Sequence, residues 1–205
     1  MTRFEYSIFE RLVLTLFTLI LSSCATTELS NSWRNPSYTG PVLKKILVVG
    51  ISKQIAVRRA FEDEFAKQLN ASGVEATASY TLISESGEVE EARLTEAVRQ
   101  SGADGMLVTR LVRIGADSQF TPAFRPTPDA SFASGYSAAW TGNHEPSAPA
   151  EAVTVVLETS LYAKNESHLL WSGTTETFAP SGELQKDLQD IIKPIIRALK
   201  RQTLI

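Results

Sequence analysis

The feature that most limits how this chain can fold is the unbroken apolar run at residues 44–52, KKILVVGIS. No polar residue alternates through it, and it is rich in β-branched side chains. A strand of that kind needs cover on both faces, as in the interior of an α/β sheet. The residues that follow agree with this. Over 58–70, Phe61, Phe65 and Leu69 fall four apart, on one face of a helix, and Gly73 closes it. A short second strand is expected at 74–80. A second helix is expected at 88–101, with Leu94, Ala97 and Val98 inward and Gly102 at its end. Residues 105–114 (GMLVTRLVRI) form a third strand. This is a β-α-β-α-β order with short connections. Right-handed crossovers make its strands parallel, with the first strand central.

Beyond residue 150 the pattern changes. Residues 151–163 and 169–178 read as two more strands, joined through the polar segment KNESH as an antiparallel hairpin. A last helix starts near Ser181, with Leu184, Leu188, Ile191, Ile195 and Leu199 as its buried stripe. Pro194 is expected to kink or divide it near Asp190. The fold class is therefore α/β: a βαβαβ core followed by a β-hairpin and a C-terminal helix, on a mixed five-stranded sheet. One domain is expected over 44–205.

The amino-terminal segment carries a different signal. Residues 12–21 (LVLTLFTLIL) are apolar throughout and follow a polar stretch with Arg3 and Arg11. About 20 residues are needed to span a bilayer as a helix, so this run is too short. It fits the apolar core of a signal peptide over 1–23. Leu21-Ser22-Ser23-Cys24 then resembles the lipobox of bacterial lipoproteins, and Cys24 is the one cysteine of the chain. That resemblance implies a thioether-linked lipid on Cys24, cleavage between Ser23 and Cys24, and acylation of the new amino terminus. Several acyl chains hold a protein stably where a single chain is marginal. Ala25 stands where an Asp would favour retention in the inner membrane. This implies the outer membrane, facing the periplasm. Residues 24–43 then read as the lipidated Cys and a polar tether, with a short docked piece around Trp33 and Tyr38.

Composition narrows the choices of partner. Formal net charge is −3, and Arg3, Arg11, Glu5 and Glu10 cancel within the signal segment, so the mature part carries the same charge. There is no electrostatic reason to expect nucleic acid as a partner. A single cysteine allows no internal disulfide.

Chemical motifs are sparse. The turn after the first strand, Gly50-Ile51-Ser52-Lys53, sits where α/β sheets often bind ligands. It lacks both the G-x-x-x-x-G-K-[ST] and the G-x-G-x-x-G patterns, so a plain turn is expected and no cofactor. His144 and His168 have no neighbours at metal-ligand spacing, and no metal site is expected. No G-x-S-x-G elbow is present, so no catalytic residue is assigned and the chain is expected not to be an enzyme. Arg110 and Glu158 are positioned to pair across adjacent strands. Glu62, Asp63 and Glu64 read as a solvated acidic face, and Asp104 as a loop cap.

Residues 115–150 form a segment rich in proline and aromatic residues, with five of the nine prolines and no regular pattern. Long unpatterned loops inside compact domains are uncommon and tend to be functional or disordered. Phe132, Tyr136 and Trp140 are the candidate binding residues there, for another envelope protein or a second copy. A self-packed or disordered insertion is the competing expectation.

Several short motifs together resemble a group of Gram-negative outer-membrane lipoproteins of uncharacterised role. They are the lipobox, Ser32-Trp33, residues 45–50 (KILVVG), 101–104 (SGAD) leading into 107–110 (LVTR), and 170–172 (LWS). A more distant resemblance is to the α/β domain of curli-secretion lipoproteins, of penicillin-binding-protein activator lipoproteins, and of the amino-terminal domain of TolB. Those are assembly or interaction modules, so the resemblance implies a binding or assembly role in the cell envelope and no catalytic residues. Two alternatives stay open: a subunit of an export or pore complex, and a periplasmic enzyme.

Overall fold

The computed structural model describes residues 26–83, 87–114, 131–141, 154–164, 168–178 and 182–205. Cys24 and Ser23, the whole of 1–25, His144 and most of 115–150 lie outside the described residues. In chain order the elements are β1 (Thr26–Arg34), β2 (Lys45–Ile51), α1 (Ile55–Ala71), β3 (Glu75–Ala78), a 3-10 turn (Ser79–Thr81), α2 (Glu91–Ser101) and β4 (Gly105–Ile114). After these come α3 (Phe132–Thr141), β5 (Thr154–Ala163), β6 (Leu169–Phe178) and α4 (Leu184–Arg201).

The six strands form one sheet in the order β1-β6-β5-β4-β2-β3. β2 is flanked by parallel neighbours, β3 and β4, as the crossover rule requires. β4, β5, β6 and β1 follow with antiparallel pairing. The sheet is mixed, as expected, but has one strand more than the sequence suggested. The extra strand is β1, which occupies part of the stretch expected to be a tether. Its residues pair with β6 from Thr26↔Phe178 to Arg34↔Trp171, with a bulge between Leu29 and Asn31. The chain stays docked past its end. Asn35 donates its backbone N–H to Leu170 O at 2.8 Å and its Nδ2–H to Leu169 O at 3.1 Å. Tyr38 is buried and donates its hydroxyl to Pro41 O at 2.7 Å.

Helices cover both faces of the sheet. Ile46 and Val48 of β2 point to one side, where Phe61, Phe65 and Leu69 of α1 meet Ile192, Ile195 and Leu199 of α4. Leu47, Val49 and Ile51 point to the other, toward Leu94, Ala97 and Val98 of α2 and Tyr136 and Ala139 of α3. The continuous apolar run at 44–52 thus has the reason inferred from it: both faces are inside. Asp104 clamps the lower end of this arrangement. Its carboxylate accepts the backbone N–H groups of Lys44 and Lys45 at 2.9 and 3.0 Å, which fixes β2 against the start of β4. Gly102 ends α2 at φ 64°, a left-handed conformation glycine adopts without steric cost.

Three expectations are corrected. Pro194 does not divide the last helix, which runs from Leu184 to Arg201 as one element, α4. Buried isoleucines before and after the proline, at 191, 192, 195 and 196, hold both halves on the sheet and outweigh the missing N–H. Within the proline- and aromatic-rich segment, residues 132–141 are helical, where no regular pattern was expected. Glu62 and Glu64 do not belong to a solvated face; both are buried.

Candidate functional site

At the carboxyl end of the parallel strands a cavity of about 390 Å³ opens between the sheet and the first turns of α1 and α4. Its floor is formed by Gly50 of β2, Thr109 and Leu111 of β4, and Val155 and Leu157 of β5. Its roof is Val57 and Phe61 of α1 with Leu184, Leu188 and Ile191 of α4. In open α/β sheets this edge is where ligands enter, and a volume of this size falls in the range of small-molecule pockets.

The cavity owes its shape to a buried polar latch beside it. The Glu62 carboxylate accepts four hydrogen bonds. Oε1 takes the Gly50 N–H at 2.9 Å, Arg58 Nε at 2.9 Å and the Ser79 hydroxyl at 2.8 Å. Oε2 takes the Tyr80 N–H at 2.8 Å. Arg58 also donates to Ser79 Oγ at 2.9 Å. A methyl at position 50 would lie 3.2 Å from the Phe61 ring and 3.4 Å from Glu62 Cγ, so glycine lets α1 sit this close to β2. The latch ties the carboxyl end of β2 to α1 and to the turn after β3. Desolvated charges persist only when paired and hydrogen-bonded in this way. No motif search would have found it. Arg58 and Glu62 have an ordinary i, i+4 helical spacing, and their burial comes from the sheet beneath them.

Other polar side chains in the wall are also engaged. Thr109 Oγ1 is 2.9 Å from Thr159 Oγ1, and Asp187 accepts the Gly182 N–H at 3.1 Å. Ser52 Oγ accepts the Gln54 N–H at 3.0 Å, so the strand-one turn is a local hydroxyl-capped turn. Glu64 bridges the two roof helices by accepting Gln68 Nε2 at 3.0 Å and Gln185 Nε2 at 2.6 Å.

On the opposite face Arg110 and Glu158 pair across β4 and β5, with Nε to Oε2 at 3.0 Å. Both are buried. Burial pushes the Glu158 carboxyl above its usual range, against the pull of Arg110. Burial also pushes the neighbouring Tyr162 hydroxyl up to about 12. The pairing foreseen from strand position is therefore present, and it lies under α3.

The three aromatic residues singled out in the sequence all fall on α3. Tyr136 is buried, and Phe132 and Trp140 are partly buried against the second core cluster. The rings of Tyr136 and Trp140 meet edge to face at 6.3 Å between centroids. The Tyr136 hydroxyl accepts the Val89 N–H at 3.3 Å and donates to Gly87 O at 3.4 Å, joining α3 to the segment before α2. These side chains serve to pack the helix on the sheet, and Tyr136 is not an exposed anchor. Among the described residues no three His, Cys, Asp or Glu side chains gather closely enough to hold a metal ion. No described helix is long and apolar enough to cross a membrane.

No family model matches the chain, and no curated protein does. Two solved structures of the PelC dodecamer from Paraburkholderia phytofirmans, one of them a point variant, are similar to it at 14% and 15% identity. Each match covers 84% of this chain and 96% or 95% of the other, with a TM-score of 0.44 in both. So distant a likeness carries nothing about site, assembly or activity.

Proposed function

We propose that this chain is a lipid-anchored binding module of the cell envelope, held in the outer membrane through Cys24 and facing the periplasm. The reading assigns binding to the apolar cavity at the carboxyl edge of the parallel strands. One observation carries it: β1 begins at Thr26, two residues after Cys24, and Thr26 pairs with Phe178 at the end of β6. β6 runs antiparallel to β5, and β5 antiparallel to β4, so this is the edge at which the cavity opens. A lipid on Cys24 would hold that edge against the membrane surface, with almost no slack between anchor and domain. The engaged state of Glu62, Arg58, Arg110 and Glu158 favours binding over catalysis, because each buried charge already has a partner inside the protein.

Replacing Cys24 with Ser removes the thiol needed for the thioether. Cells fed labelled fatty acid are expected to give a membrane-bound, labelled wild-type protein and an unlabelled Cys24→Ser protein that leaves the membrane fraction. A Cys24→Ser protein that remains acylated and membrane-bound overturns the anchor.

A further inference from the structure

The chemistry of the cavity identifies what it can hold. Its lining is mostly hydrocarbon, with one aromatic ring: Phe61, Leu111, Leu157, Leu184, Leu188 and Ile191. The polar side chains in the wall on this face, Ser52, Arg58, Thr109 and Asp187, are hydrogen-bonded within the protein. A ligand with polar groups along its length would have to give up water and compete with those bonds. A hydrocarbon chain would give up nothing and gain the burial.

The exposed apolar surface points the same way. Among the described residues the large hydrophobic side chains left exposed are Val42, Ile55, Phe178 and Leu184. Two of these head the helices that roof the cavity: Leu184 opens α4 and lines the cavity, and Ile55 opens α1 two residues before the lining Val57. Leu184 is 48% exposed and Ile55 47%, although each heads an otherwise amphipathic helix with buried positions available. Apolar residues gathered around an apolar opening mark contact with a partner or a lipid. The nearby amino terminus makes lipid the specific choice.

We propose that the cavity between the sheet, α1 and α4 takes a single unbranched acyl chain, entering past Leu184, with its polar head left at the membrane surface. This rests on the lipoprotein reading for the position of the membrane, and on the cavity alone for the chemistry of the ligand. Two sources share that chemistry: an acyl chain carried on Cys24 itself, and an acyl chain of a separate membrane lipid. Each methylene taken from water into the cavity should raise affinity about fourfold.

The test uses the full chain in living cells supplied with a fatty acid that carries a photoreactive group near its end. After illumination the protein is digested and the crosslinked peptides are identified by mass. The expected result is a crosslink on residues 154–157 of β5 or 184–191 of α4. It should drop at least tenfold in Val155→Trp, which fills the cavity, and in Leu184→Glu, which puts a charge at its exposed mouth. Leu184 is a surface position, so this second variant folds even if the first does not, and cooperative thermal unfolding of each checks this. A crosslinked mass that includes the Cys24 peptide identifies the chain's own lipid, and one that holds a free lipid identifies a membrane lipid. Either result supports the proposal. Absence of crosslinks from both segments in the wild type, or undiminished crosslinks in the folded variants, overturns it. The mass of the amino-terminal peptide reports separately whether Cys24 is lipidated, so an unlipidated chain is told apart from an empty cavity.

Discussion

Glu158 stands opposite Arg110 in the middle of the sheet, with both side chains shut off from water. Such a pair is a weak source of net stability, yet breaking it leaves a lone buried charge. Arg110→Met alone is therefore expected to lower the unfolding free energy by about 3–5 kcal/mol. The double variant Arg110→Met, Glu158→Leu should recover most of that loss, and urea denaturation of both measures it. A double variant as unstable as the single one would mean that the strands need the charges themselves. The same site sets a pH dependence. Burial raises the folded carboxyl of Glu158 above its ordinary value, so the folded chain holds that proton after the unfolded chain has released it. Its contribution is greatest in acid and is lost as pH rises from 4.5 through the folded value. The double variant should lack that fall. Sequence position alone suggested the pairing. It gave no sign of the burial, which depends on α3 lying across the strands.

At the scale of elements, α3 is the clearest case of packing overriding local preference. A glycine inside a helix costs about 1 kcal/mol relative to alanine, yet Gly135 occupies the buried face of this helix. A Cβ there would come within 3 Å of the Tyr162 ring and closer still to its hydroxyl. Tyr162 is 1% exposed and cannot swing aside. Gly135→Ala should therefore destabilise the domain by about 1–3 kcal/mol despite its better helix propensity. It should also raise hydrogen exchange in α3 before the rest of the fold. An alanine variant with a higher melting temperature and unchanged exchange would show that the helix is not seated on Tyr162. The elements with strong patterns, α1, α2, β2 and β4, were legible because their buried apolar residues fall at helical spacing in the helices and at successive positions in the strands. β1 was not. Its sequence, TTELSNSWR, offers Leu29 and Trp33 among polar residues, and an edge strand needs little more when its backbone can pair with β6.

At the scale of the whole molecule, β1 completes the sheet from Thr26, two residues after Cys24, so the lipid anchor proposed there would be mechanically continuous with the fold. A chain beginning at Thr26 should unfold in a single cooperative step. One beginning at Asn35 loses the eight register pairs of β1 with β6 and leaves β6 as an open edge. It should melt at lower temperature and self-associate, as static light scattering would report. Equal melting temperatures for the two would make β1 dispensable. Val48 lies in the central strand with no exposure, so Val48→Asp should prevent folding through an unpaired buried charge.

What the sequence determined by itself is what short-range pattern encodes. It set the parallel β-α-β-α-β core, because a strand covered on both faces must be apolar at successive positions. It also set the hairpin and the cap residues, and, through residues 21–24, the expectation of a lipid anchor. Only the tertiary structure decided that β1 joins the sheet, that 132–141 is a helix seated on Tyr162, and that Arg58 and Glu62 form a buried latch. It alone brought Phe61, Leu157 and Leu188 around one cavity at the end of the sheet where β1 begins. Apart from the latch, whose hydrogen bonds join residues 4 to 21 positions apart, these features join residues roughly 30 to 150 positions apart, and a local pattern holds no record of which distant surface a side chain will meet.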